Sequence, residues 1–227
     1  MPGKQTAEVQ GAKSNAAINN GIRNPKGIRK GIISLAFLGL IPVTDYLART
    51  GPLQWLLRQT VALVPGCAAA SDITRGRMIP ALSALYLFAT YGASGALSLA
   101  GQAMARPTGS GSGAGAGADA DAAADAASHP RRHVHELEGV PLRLRSAHYG
   151  LLENLAAYGL AAALAQTVSP ADPHLVGLLG LHVVGKVFVY YPAYLADVPA
   201  LRGLSHILAT AAVINVCWRL ATAAVAA

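Results

Sequence analysis

The 227-residue sequence is poor in charge and in aromatic rings: only 13% of its residues are Asp, Glu, Lys or Arg, and 6% are Phe, Trp or Tyr. A soluble globular domain carries about 25% charged residues. Half of the usual solvating surface is missing, which excludes an ordinary soluble enzyme. Acids are scarcer than bases, 11 against 18, giving a formal net charge of +7. No stretch interleaves those bases with aromatics as a nucleic-acid surface does, so nucleic acid is not an expected partner. Cysteine occurs twice, at Cys67 and Cys217 in separate apolar stretches. Without Cys-x-x-Cys spacing, both read as small core residues rather than as a disulfide or metal ligands.

What the chain has in abundance is apolar length, with 53% hydrophobic residues and a mean hydropathy of +0.39. Residues 78–105 carry no charge and lie between Arg77 and Arg106. That is enough to cross a hydrocarbon core about 30 Å thick. Residues 147–168, 175–196 and 204–227 offer three more spans, separated by short turns containing Pro170, Pro173 and Pro199. Spans joined by short turns run antiparallel. The expected fold is therefore all-α: a four-helix transmembrane bundle over residues 78–227, with an extra N-terminal segment. Pro192 predicts a kink in the third span.

The rest of the chain divides by composition. Residues 1–30 hold Lys4, Lys13, Arg23, Lys26, Arg29 and Lys30 against Glu8 alone, the mark of a basic disordered tail or a targeting segment. Residues 31–77 read as an apolar interfacial or re-entrant segment. Residues 31–43 are too short to span, and 53–70, interrupted by Arg58 and broken at Pro65 and Gly66, suit an amphipathic interfacial helix. Residues 106–138 form a loop containing GSGSGAGAGADADAAADAA, a flexible low-complexity insert. His129, His133 and His135 come next, beside Glu136 and Glu138, at no metal-site spacing, so no metal is expected. This loop and its continuation carry Arg106, Arg131, Arg132, Arg143 and Arg145, and Arg202 comes after the third span. The turn at 169–174 has no Lys or Arg. The bias places the long loop in the cytosol, with Arg75 and Arg77 pulling the other way.

Polar residues interrupt the spans in one region, residues 141–202. His148, Glu153, Asn154 and Tyr158 lie in the second span; Lys186, Tyr190 and Tyr194 lie in the third. Steps of four put Lys186, Tyr190 and Tyr194 on one helical face, and Asn154 and Tyr158 on another. Ionisable groups at membrane depth are costly and face partners or wet cavities. Glu153 must be protonated, hydrated or paired there, with Arg145, Lys186 and Arg202 as candidate partners. Lys186, about 15 Å from either end of its helix, is either part of a binding site or half of a Glu153–Lys186 pair that only fixes helix packing.

The segments AHYGLLENLAAY (147–158) and YYPAYLADVPALR (190–202) resemble the membrane-associated proteins in eicosanoid and glutathione metabolism, the MAPEG superfamily, which includes the microsomal glutathione transferases. The resemblance covers about two-thirds of the chain. It implies a homotrimer of four-helix subunits that binds glutathione between subunits near the cytosolic face. Carried onto this sequence, it assigns catalysis to Arg202 and Tyr190, with Arg202 favouring the glutathione thiolate, the nucleophilic form. It assigns glutathione binding to Glu153, Asn154, Tyr190 and Tyr194. The sequence departs from the motif at Ser146, Gly150 and Val187, where the family has Arg, Asn and Arg. Lys186 and Arg145 stand one residue from two of these positions and are added to the glutathione-binding set. A one-residue step turns a side chain by about 100°, so compensation needs a local distortion, with Pro192 as its candidate source.

The implied function is a membrane-bound glutathione transferase or peroxidase acting on lipophilic electrophiles or hydroperoxides. The alternative is a homologue without catalysis, serving as a membrane interaction or scaffold protein. A small transporter using the buried charges is a third reading. The location expected is the endoplasmic reticulum or another intracellular membrane, with mitochondria as the alternative.

Overall fold

The computed structural model describes residues 36–65, 76–105 and 137–223. The chain divides into two units, Met1–Leu40 and Ile41–Ala227. In the first, the described element is a single turn of helix, Ala36–Gly39. The basic tail, Cys67, Arg75 and the histidines at 129, 133 and 135 lie outside the described residues.

The second unit is helical throughout its described residues: α1 (Ile41–Ala48), α2 (Gly51–Ala62), α3 (Met78–Met104), α4 (Gly139–Val168), α5 (Pro173–Leu195) and α6 (Pro199–Thr222). Three of them, α3, α5 and α6, are long and apolar enough to cross a membrane. At 30 residues α4 is the longest, but Arg143, Arg145 and Glu153 interrupt its apolar length and it does not share that composition. Prolines open α2, α5 and α6 in their first turns, where the missing N–H would have had no intrahelical partner. At the start of α5, Asp172 also caps the helix by accepting from the His174 amide at 2.8 Å, as N-cap aspartates do.

Helix α5 runs through the centre and touches every other helix of the unit. From His174 to Val184 all its residues are buried. Two glycines on it admit the N-terminal helices. A Cβ on Gly177 would strike the Ala48 carbonyl, and one on Gly180 would strike the Leu57 side chain. The apolar face of α2, with Leu53, Leu57 and Val61, is thus buried by protein. Its other side leaves Trp55 and Leu63 exposed.

Two stretches widen into π-helix, Phe88–Ser94 in α3 and Gly185–Tyr190 in α5. The second ends two residues before Pro192, which cannot donate to the carbonyl four residues earlier and whose ring crowds it. Wider turns relieve that conflict. Such turns concentrate at functional sites, and each shifts the register of the later turns of its helix by about one residue.

Polar groups sit inside the bundle as well as at its ends. Tyr86 donates to the Leu151 carbonyl at 3.1 Å, and its ring meets Tyr158 edge-on at 5.0 Å. His182, fully buried, stacks on Tyr158 and bonds through Nδ1 to the Ala209 carbonyl at 2.9 Å. A carbonyl only accepts, so that nitrogen carries the proton.

A polar candidate site across helices α4, α5 and α6

The end of α5 and the start of α6 are joined by a turn in which Asp197 adopts φ 56°. The Val198 amide donates to the Ala193 carbonyl at 2.9 Å and the Asp197 amide to Tyr194 at 3.3 Å, the bonding of a Schellman motif. The reversal lays the first turns of α6 against the last turns of α5. Arg202 comes to lie over the Tyr194 ring, its guanidinium carbon 4.4 Å from the centroid. Tyr194 in turn meets Tyr190 edge-on at 5.6 Å. One turn further along α6, His206 lies against the other side of Tyr190 at 5.7 Å. Arg143 of α4 reaches Asp197 at 3.4 Å and ties the turn to the third helix of the site.

Lys186 points inward and is fully buried. Its ammonium hydrogen-bonds His206 Nδ1 at 2.8 Å and the Gly150 carbonyl at 3.3 Å, and it stands 4.3 Å from the centroid of the Tyr190 ring. The Glu153–Lys186 pair does not form: Lys186 takes these partners instead, and Glu153 is exposed on the outer face of α4. Asn154 is buried, donating to the Gly150 carbonyl at 3.2 Å and accepting from the Thr210 hydroxyl at 3.0 Å. Lys186 lies within the π turns of Gly185–Tyr190.

Gly150 explains one departure from the motif. A Cβ there would overlap the Tyr190 hydroxyl and lie 2.8 Å from the ring carbon that bears it. Tyr190 occupies the space that a larger side chain on α4 would fill. Gly150→Ala should lower stability by about 1–3 kcal/mol, as overpacked cores do. In a double-mutant cycle with Tyr190→Leu, read by thermal unfolding, the cost of Gly150→Ala should shrink because the colliding ring is gone.

The structure therefore brings Lys186, Tyr190, Tyr194, Arg202 and His206 into one continuous array, with Asn154 beside it through Gly150. Glu153 and Arg145 are outside it. Arg145, buried on α4, donates to the Tyr149 hydroxyl at 3.2 Å and lies 5.1 Å from the Tyr149 ring centroid. His206 escaped the sequence reading, although its spacing of four from Arg202 places both on one helical face.

A second polar cluster, also unforeseen, lies where α1 meets the start of α5 and the end of α6. Asp45 Oδ1 accepts from Arg219 at 2.9 Å, from His174 Nε2 at 2.8 Å and from Asn215 at 3.3 Å. Its other oxygen accepts from Arg49 at 3.2 Å. Arg49 Nε also donates to His174 Nδ1 at 2.7 Å, which leaves Nε2 to carry the imidazole proton toward Asp45. Burial alone would raise the Asp45 pKa; His174, Asn215 and Arg219 outweigh it and hold the carboxyl below its ordinary value of 3.8. The signal for this cluster was a lone acid at the end of an apolar run, with an arginine near the end of the last span.

No curated protein and no solved structure matches the chain. The MAPEG family model matches residues 79–222, which takes in α3 to α6 and leaves α1 and α2 outside. With that match over more than half of its length, and with three helices able to cross a bilayer, the chain is an integral membrane protein belonging to the MAPEG family.

Proposed function

We propose that this protein is a membrane-bound glutathione transferase or peroxidase acting on lipophilic electrophiles or hydroperoxides. The observation that carries the reading is the Arg202–Tyr194–Tyr190 array, built by the α5–α6 turn within the family-matched region. In this reading α4 is the fourth span, the long 106–138 loop is cytosolic, and three copies assemble with glutathione between them. The membrane is that of the endoplasmic reticulum or another intracellular compartment.

The residues present fit glutathione. Glu153 offers an exposed carboxylate, with no ion pair among the described residues, to the peptide's ammonium. Arg202 offers a guanidinium, held by stacking on Tyr194, to the sulfur. A positive charge there stabilises the thiolate over the thiol. In conjugation the thiolate sulfur forms a bond to the electrophilic carbon as the bond from that carbon to its leaving group, or to the oxygen of an epoxide, breaks and that group takes the electron pair. Tyr194 fixes the peptide beside Arg202, and the buried Tyr190 supports the Tyr194 ring from behind. Lys186, enclosed within one chain, serves by holding Tyr190 and His206 in place.

The non-catalytic reading is favoured by one specific observation. At Gly150, the space for the motif's Asn is filled by Tyr190. Calorimetry of the detergent-purified protein separates the two. Saturable glutathione binding, weakened about tenfold by Glu153→Gln through loss of a charged hydrogen bond, supports the enzyme. A flat titration at millimolar glutathione removes it and leaves the scaffold.

A further inference from the structure

Helices α1 and α2 are 8 and 12 residues long, about 12 and 18 Å at 1.5 Å per residue. Neither can cross a hydrocarbon core of about 30 Å, and both lie outside the family-matched residues 79–222. We infer that this helix pair is a membrane-surface anchor that binds anionic headgroups of the leaflet around the start of α5. The face it turns to lipid is the one bearing Trp55 and Arg58, not the one bearing its leucines.

Three observations converge on that occupant, and the first is depth. Ala48 packs on Gly177 and Leu57 on Gly180, about 6 and 10 Å along α5 from Pro173. The Ile41 carbonyl and the Thr44 hydroxyl accept from Asn215 at 3.2 and 3.1 Å, about 10 Å before the last residue of α6. The bonds from His174 and Arg219 to Asp45 lie nearer still to the helix ends. These contacts all fall within about 10 Å of one end of the bundle, the depth at which headgroups give way to acyl chains.

The second is the chemistry of the outward face. Leu53, Leu57, Thr60 and Val61 of α2 are buried against the bundle. On the opposite side Trp55, Arg58 and Gln59 are exposed, Trp55 to 63%, and on α1 Tyr46 is 72% exposed. Hydrocarbon would face a guanidinium and an amide there, and water would face two large rings. The interface accepts both, since Trp and Tyr settle at headgroup level and arginine keeps its head among the phosphates. The third is charge. Residues 41–65 hold one acid, Asp45, and two bases, Arg49 and Arg58. Asp45 is taken up by Arg219 and His174, and Arg49 by Asp45 and His174. Exposed Arg58 takes part in no ion pair among the described residues. A guanidinium is a planar fork of donors that matches phosphate oxygens, and a basic face at this depth draws anionic headgroups.

The chain has two tryptophans, Trp55 and Trp218, so in a Trp218→Phe background the emission reports on α2 alone. Should that variant not fold, Trp55→Phe gives the Trp218 signal to subtract. The full chain is reconstituted in phosphatidylcholine bilayers brominated at shallow or at deep acyl positions. Brominated phosphatidylglycerol and brominated phosphatidylcholine are then compared as minor components at equal mole fraction. Shallow bromines should quench Trp55 severalfold more than deep ones. Phosphatidylglycerol should be preferred about fivefold at Trp55, the scale of one arginine at an anionic surface. Arg58→Gln should bring the two lipids to parity, whereas Arg58→Lys, which keeps the charge, should retain most of the preference. Trp55 emission that no brominated lipid quenches would put this face in water or against another protein, a second copy included, and overturns the inference. So does stronger quenching from deep positions, equal quenching by the two lipids, or a preference unchanged in Arg58→Gln.

Discussion

Arg202→Ala should lower glutathione-dependent turnover by about 100-fold while changing glutathione affinity only severalfold. The size reflects the proposed role of the residue. A preorganised donor aimed at developing negative charge is worth about 10²–10³ in turnover, and Arg202 is held in place before any substrate arrives. Its guanidinium lies 4.4 Å from the Tyr194 centroid, and its position on α6 is set by the Asp197 turn. Loss concentrated in kcat, rather than in KM, marks an interaction made in the transition state. Arg202→Lys should fall between the two, since lysine keeps the charge but loses the planar surface that stacks on Tyr194. Tyr194→Leu should lower turnover less than Arg202→Ala, because it frees the guanidinium without removing it. Steady-state kinetics with a lipophilic electrophile reads all three, and undiminished turnover in Arg202→Ala would refute the catalytic role.

The second large effect concerns stability. Asp45→Ala should destabilise the protein by about 2–3 kcal/mol, the scale of hydrogen bonds to a charged group. It leaves Arg219, Arg49, His174 and Asn215 without the acceptor they share. Asp45→Asn should cost less, because one oxygen remains to accept. The pH dependence has a definite sign. The folded-state pKa of Asp45 lies below its ordinary 3.8, so the unfolded chain binds this proton more readily. The contribution is complete above about pH 4 and is lost as the pH falls through the lower folded value. Thermal unfolding at pH 7 and at pH 3 should show a gap between wild type and Asp45→Ala that narrows at the acidic end. A gap that widens on acidification would contradict the assignment.

Much of this architecture was legible in residue order. Uncharged length marked α3, and Pro170, Pro173 and Pro199 marked the turns on either side of α5. The helices take in two of these prolines, α5 starting at Pro173 and α6 at Pro199 rather than at 175 and 204, because a missing N–H is harmless in a helix's first turn. The tyrosines at steps of four and the later arginine carried the family resemblance. The partners of the ionisable groups were not legible. Glu153 and Lys186 invited pairing because both are costly in an apolar segment. Yet helix α4 turns Glu153 outward, and Lys186 finds a histidine and a carbonyl instead. Which charge meets which depends on the rotation of each helix about its axis. Sequence spacing fixes that rotation only within a helix, and the π turns of Gly185–Tyr190 change it midway. The role of Gly150 was hidden for a related reason: a missing side chain has meaning only beside the ring that fills its place.

Residue order by itself determined that this chain belongs in a bilayer and along which stretches its apolar helices run. Those properties arise from transfer free energies and backbone sterics, which act locally along the chain. The tertiary structure decided that Arg202 lies on Tyr194, that Lys186 turns to His206, that Arg145 turns to Tyr149, and that Asp45 gathers α1, α5 and α6 at one carboxylate. These arrangements join residues far apart in sequence, and the energy of a charge depends on the partners brought within a few ångströms of it.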